Sequence, residues 1–224
     1  MKGGGNKNTF PASRNVSSEQ QSASARERIF YNKVADHLQI LTRAVAIVKK
    51  CRDLGIGCGG FFRPGYRDEC RSFDNAVPPE IPKEFRKLVD GALHVSRDFL
   101  HQSVIDAEEV SIMSPNVCIV NFYNDSGRLG LHQDRDESKE RLEKGLPVVS
   151  FSIGNSTEFL YSDVRDVDSA EKVILESGDV LIFGGKSRHI FHGVSCIKPK
   201  TAPQLLNDDA NLRPGRLNLT FRQY

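Results

Sequence analysis

The stretch Arg216-Leu217-Asn218-Leu219-Thr220-Phe221-Arg222 alternates strictly between polar and apolar side chains. Alternation with a period of two marks a strand that lays one face against a core. Leu217, Leu219 and Phe221 make the apolar face, and Arg216, Asn218, Thr220 and Arg222 make the other. A polar face with two arginines ordinarily turns to solvent. Two features oppose that reading here: the apolar face is bulky enough to be core, and the polar face mixes Arg with Asn and Thr instead of Lys and Glu. Two forked guanidiniums at a fixed separation suit a dicarboxylate, each able to grip one carboxylate in bidentate fashion. By the same alternation Asn121 and Tyr123 share a face of an earlier segment, and both can donate hydrogen bonds to the same anion.

Between Ser111 and this final strand the pattern recurs. VCIVNFY, GLHQD, PVVSFSI, EFLYSD, KVILES, DVLIF and HIFHGV are short β-segments separated by Gly, Asp, Asn or Pro turns. So many short strands predict an antiparallel sandwich or jelly roll and not a parallel α/β sheet. Helices come first. Phe30, Val34, Leu38, Leu41, Val45 and Val48 recur at steps of three and four, which predicts a helix closed by KKCRDLG, with Gly55 as its cap. A Gly- and Pro-punctuated loop follows, and Pro82 to about His101 reads as a second helix. The class is therefore α+β, with N-terminal helices buttressing the sheet. Residues 1–28 read as a disordered tail, 29–110 as a helical extension and 111–224 as the β domain.

The 224 residues carry 31 basic and 29 acidic side chains, a net charge of +2. Such a balance neither demands nor excludes a polyanionic partner, since clustering of charge decides that. No apolar run reaches the roughly 20 residues that span a bilayer, so no membrane partner is expected. Five cysteines without a CxxC pair do not resemble a disulfide framework or a zinc site. Reduced thiols in an intracellular compartment, nucleus or cytoplasm, are the simpler expectation. The tail lacks a secretory apolar stretch; residues 1–26 hold one acid, Glu19, among Ser, Lys and Arg, which leaves organelle targeting as an alternative.

His132 and Asp134 stand two apart in LHQD, on one face if that segment is a strand. A histidine and a carboxylate on one face, with a distant second histidine, make the two-His-one-carboxylate arrangement. It takes three positions of Fe(II) and leaves three open for a co-substrate and O2. The triplet alone is a weak signal, because a surface Asp orienting a His gives the same pattern. The third ligand would be His189 or His192 of RHIFHGV, which face opposite sides of a strand. His192 is chosen because Gly193 beside it leaves room for ligands, and His189 is then a half-exposed strand residue.

HQDRDES, SRHIFHG and RLNLTFRQ together closely resemble the AlkB nucleic-acid dioxygenases. VVSFSIG, ESGDVLIFGG and NFY fit the same pattern in the same order, over roughly residues 111 to 224. GFFRPGYRD and VPPEIPKEF resemble the AlkB homologues of plants. The resemblance implies a double-stranded β-helix (a jelly roll) in which His132, Asp134 and His192 hold Fe(II). It implies that Asn121, Tyr123 and Arg216 bind the distal carboxylate of 2-oxoglutarate, with Asn218 and Arg222 near its other end. Asp136 matches a position that contacts the damaged base. Phe183 stands where relatives carry an aromatic, with a core role as the competing use.

The activity implied is oxidative demethylation of alkylated bases in DNA or RNA, including tRNA, with O2 consumed and formaldehyde, succinate and CO2 released. The base must come from a single strand or leave its stack. Arg63, Arg67, Arg71, Lys83, Arg86 and Lys87 could meet the phosphate backbone, and Phe61, Phe62 and Tyr66 could stack on a base. A monomer is expected. One departure stands out: relatives carry a longer Met-containing lid with a Trp after PGYRD, whereas here PGYRD runs almost directly to VPPEIP and the chain has no Trp. The alternatives are a 2-oxoglutarate oxygenase acting on protein or a small molecule, and a catalytically impaired nucleic-acid-binding relative with a short lid.

Overall fold

A computed structural model describes residues 30–32, 61–62, 80–102 and 111–224 apart from 205, 207 and 209–211. The tail, the body of the first predicted helix, Gly55, Tyr66, Arg63, Arg67, Arg71 and the lid segment lie outside the described residues.

Two antiparallel sheets form the molecule. The larger runs β1-β8-β5-β10-β3-β2 and the smaller β4-β9-β6-β7. The strands of the larger sheet are β1 (Phe30–Asn32), β2 (Phe61–Phe62), β3 (Val117–Tyr123), β5 (Val148–Gly154), β8 (Val180–Phe183) and β10 (Arg216–Arg222). Those of the smaller are β4 (Leu129–His132), β6 (Thr157–Ser162), β7 (Glu171–Leu175) and β9 (Phe191–Ile197). This is the expected jelly roll, and all eight β-segments read from the C-terminal half are present.

Helix α1 (Lys83–Gln102) covers the outer face of the larger sheet. Its register explains why: Phe85, Val89, Leu93 and Leu100 fall on one side and are all buried. They meet Val149, Phe151 and Ile153 of β5 and Leu217, Leu219 and Phe221 of β10. Phe221 takes Phe85 and Phe151 edge-on, with ring centroids 6.1 and 5.7 Å away. The opposite face of the same strands looks between the sheets. There Val148, Leu181 and Phe183 join Phe159, Tyr161 and Val194 of the smaller sheet in a second apolar cluster. Covered on both faces, β5 is buried at every residue. Among the described residues, no helix is long and apolar enough to cross a membrane.

Two elements differ from the sequence reading. Phe30–Asn32, taken as the start of a helix, forms β1 and pairs with Val180–Ile182 of β8. The open edge of β8 offers backbone groups that a local helical period does not reveal. Phe61 and Phe62, read as loop residues free to stack, form β2 opposite Ile119 and Cys118.

Candidate active site

Strand β10 is the centre of the larger sheet, flanked by β3 and β5. Its register sets Arg216 directly opposite Tyr123 and Asn218 opposite Asn121. On the other side Asn218 faces Ser152 and Thr220 faces Ser150. The polar face of the final strand is thus continued by its neighbours into a hydrophilic floor inside the sandwich. Solvent does not cover it: Arg216 and Arg222 are each 2% exposed.

On the facing sheet, β4 and β9 pair so that His132 and His192 are direct cross-strand partners. The ligand-capable atoms of His132, Asp134 and His192 all lie within 4.8 Å of one another. His132 Nε2 is 3.9 Å from one carboxylate oxygen of Asp134, and His192 Nε2 is 3.8 Å from the other. Each ring points its Nδ1 at a backbone carbonyl two residues back, Gly130 O at 3.0 Å and Ile190 O at 3.2 Å. A carbonyl only accepts, so Nδ1 carries the proton and Nε2 keeps its lone pair for a metal. Burial, the largest influence, pushes the His192 pKa down; His132 and Arg188 add to this while Asp134 opposes it. The neutral imidazole that results is the form a metal takes.

One cavity of about 390 Å³ holds both halves of the site, lined by His132, Asp134, His192, Tyr123, Arg216 and Arg222 among others. The donor set fits a ferrous ion: two imidazole nitrogens and a carboxylate, without thiolates, with open space on the remaining side. The floor fits a dicarboxylate. Arg216 Nε and Nη1 are buried without a hydrogen-bond partner, a costly state that a bound carboxylate relieves. Burial lowers the Arg216 pKa to about 10, which leaves the guanidinium charged at neutral pH. Burial pushes the Tyr123 phenol up, against the pull of Arg216, so it stays a hydroxyl donor.

Several residues stand differently from expectation. Strand β4 ends at His132, so Asp134 and Asp136 follow in irregular chain and line the cavity without strand alternation. His189 sits in an exposed turn before β9 instead of on the strand. Gly193 is bare for a different reason than the one expected. A Cβ there would meet Leu129 O at 2.6 Å and Gly130 C at 3.2 Å, so its bareness lets β4 approach, not a ligand. Asn218 spends its amide hydrogens on Ser150 Oγ (2.7 Å) and Phe151 O (3.1 Å), and none is left for a carboxylate. Arg86, one of the basic residues that could meet a phosphate backbone, donates to Pro115 O at 2.8 Å.

Asp136 lines the cavity with its side chain 71% exposed, 3.5 Å from Arg222 Nη2 and 3.4 Å from Tyr224 Oη. Phe183 is a buried wall, its ring 5.0 Å from that of His192. Sequence reading missed Arg188 and Glu137, a buried ion pair beside the ligands, with Arg188 Nη1 also donating to Asp134 O at 2.8 Å. The signals for it were Arg188 inside SRHIFHG and Glu137 inside HQDRDES, too slight to pair the two.

Comparison with known proteins extends the geometry. Residues 14–222 match the model of the 2OG-Fe(II) oxygenase superfamily. A protein of Arabidopsis thaliana named DNA N(6)-methyladenine demethylase ALKBH1C is 51% identical over 206 residues, 80% of this chain and 45% of that protein. The tRNA demethylase abh1 of Schizosaccharomyces pombe is 33% identical over 155 residues, 67% of this chain and 46% of that protein. The solved structure of OsALKBH1 aligns with a TM-score of 0.74 at 56% identity, covering 81% of this chain and 91% of that one. The chain spans about half the length of the curated relatives it matches.

Proposed function

The chain belongs to the 2OG-Fe(II) oxygenase superfamily and within it to the AlkB family, and from this we propose that it is an oxidative demethylase of alkylated bases in DNA or RNA, tRNA included. When bound, ferrous iron with 2-oxoglutarate and O2 supplies the oxidation of an N-methyl carbon, which leaves as formaldehyde while succinate and CO2 form.

The chain's own residues do the rest. His132, Asp134 and His192 would hold the metal through Nε2, a carboxylate oxygen and Nε2. Arg216, with the Tyr123 hydroxyl and Asn121 beside it, would take the distal carboxylate of the co-substrate, and Arg222 the end nearer the metal. Asn218 keeps Arg216 and Arg222 in register by bonding β10 to β5. The apolar walls, Phe183 and Phe159 against His192, limit water on the buried side. Asp136, exposed on the cavity lining, would be the contact to an incoming base.

Because the three ligand residues line a cavity inside the sandwich, the base would come from a single strand or leave its stack. The observation that carries the reading is the shared cavity: a three-ligand cluster on one sheet faces a buried, unpartnered guanidinium on the other. The names of the relatives divide between DNA and tRNA, so both belong in the test. Purified protein with Fe(II), 2-oxoglutarate and O2 should release succinate and formaldehyde in step with demethylation of methylated single-stranded DNA, RNA or tRNA. Succinate formed only with a peptide or a small molecule would overturn the nucleic-acid reading, and absence of 2-oxoglutarate binding would overturn the enzyme reading.

A further inference from the structure

Three carboxylates crowd Arg222. Asp134 Oδ1 is 3.4 Å from its Nη1, Glu137 Oε1 is 3.5 Å from the same atom, and Asp136 Oδ2 is 3.5 Å from Nη2. All three distances exceed a charge-assisted hydrogen bond of about 2.8 Å, and Arg222 Nε and Nη1 have no hydrogen-bond partner. The guanidinium is surrounded by anions and held tightly by none.

Glu137 is the anion best able to change that. Its side chain is 2% exposed, and its Oε2 has no hydrogen-bond partner. Its Oε1 lies between two guanidiniums and is taken by Arg188 Nη2. The other arm of Arg188, Nη1, donates to Asp134 O. A second tie runs parallel, from Gln133 Nε2 to His189 O. The irregular chain after β4, which carries Asp134, is therefore fastened to the turn that precedes His192.

We infer that Arg188 is a positioning residue that occupies Glu137 and so keeps Arg222 available to the co-substrate. A buried carboxylate needs a cation. Without Arg188 the next guanidinium within reach of Glu137 is Arg222, and a small side-chain rotation closes that pair. An Arg222 neutralised in this way presents the co-substrate carboxylate with a nearby negative charge. Arg188 thus sets co-substrate affinity without touching the co-substrate. This inference rests on the oxygenase reading above.

The test is calorimetric titration of 2-oxoglutarate into the full chain loaded with redox-silent Mn(II), without oxygen, on wild type, Arg188→Met, Glu137→Gln and the double variant. Arg188→Met should bind about tenfold or more weakly, in keeping with loss of one partner of a buried charge pair. Arg188→Met with Glu137→Gln should return to within about threefold of wild type, since a neutral amide no longer competes. Glu137→Gln alone should bind at least as tightly as wild type. Equal binding by Arg188→Met and wild type overturns the inference, as does a double variant no better than the single. If Arg188→Met does not fold, the other two variants decide, and weaker binding by Glu137→Gln overturns it. A wild type that binds no 2-oxoglutarate refutes the oxygenase reading instead.

Discussion

His132 and His192 face each other across β4 and β9 with ring centroids 4.4 Å apart, both Nε2 atoms toward Asp134. His189, three residues before His192, is exposed in a turn. His132→Ala should therefore abolish Mn(II) binding by calorimetry and succinate release alike, because two remaining ligands do not hold a divalent ion in competition with water. His189→Ala should leave both within about twofold, as surface substitutions usually do. The reverse pattern would show that the third ligand is misassigned.

The same pairing makes Gly193 a structural requirement of the metal site. A Cβ on residue 193 would stand 2.6 Å from Leu129 O, which is backbone and has no rotamer to escape through. Gly193→Ala should push β4 from β9 and separate the two imidazoles. Expected are weaker metal binding, by about tenfold or more, and a loss of stability of about 1–3 kcal/mol, the usual range for forcing extra atoms into a packed site. Thermal unfolding with and without Mn(II) reads both. A variant with wild-type metal affinity would mean that the strands separate without cost.

How far the sequence foretold this site depends on which forces act locally. Strands β3 and β10 match their reading to the residue, and in β10 a buried floor on one side and helix α1 on the other enforce strict alternation. Helix α1 matches within a residue at each end for the same reason: one continuous face meets the core. Phe30–Asn32 was illegible, since its fit to a helical period is local and the vacant edge of β8 is not. Two-residue β2 is too short for any period. Asp134 was found by motif although the strand assumed to present it ends at His132. The Arg188–Glu137 pair spans 51 residues, and neither charge announces its partner.

Glu158 on β6 ties three strands of the small sheet together. Its Oε1 accepts from Ser195 Oγ on β9 at 2.7 Å and lies 3.1 Å from Lys172 Nζ on β7. The Ser195 hydroxyl first, then Lys172, hold its carboxyl below the ordinary 4.5. A depressed carboxyl stabilises the fold above its unfolded value, and the gain is lost as pH falls through the lowered one. Glu158→Gln should cost about 0.5 kcal/mol at neutral pH, the scale of a half-exposed pair. The two proteins should converge in denaturant titrations as pH drops below the carboxylate range. A difference that persists in acid would place the effect in packing, not in charge.

Arg216 sets function against stability most directly. It is buried, its Nε and Nη1 lack partners, and burial already lowers its pKa to about 10. Without a bound anion, that charge is desolvated for little return. Arg216→Met keeps the volume and removes the charge, so the apo protein should gain about 1 kcal/mol or more, as when buried ionic groups give way to apolar ones. Binding of 2-oxoglutarate should fall by about a hundredfold, the loss expected when a buried carboxylate partner is removed. Added 2-oxoglutarate should raise the melting temperature of the wild type but not of the variant, which reverses their order at saturation. A variant that is less stable without co-substrate would instead assign Arg216 to holding the sheets together.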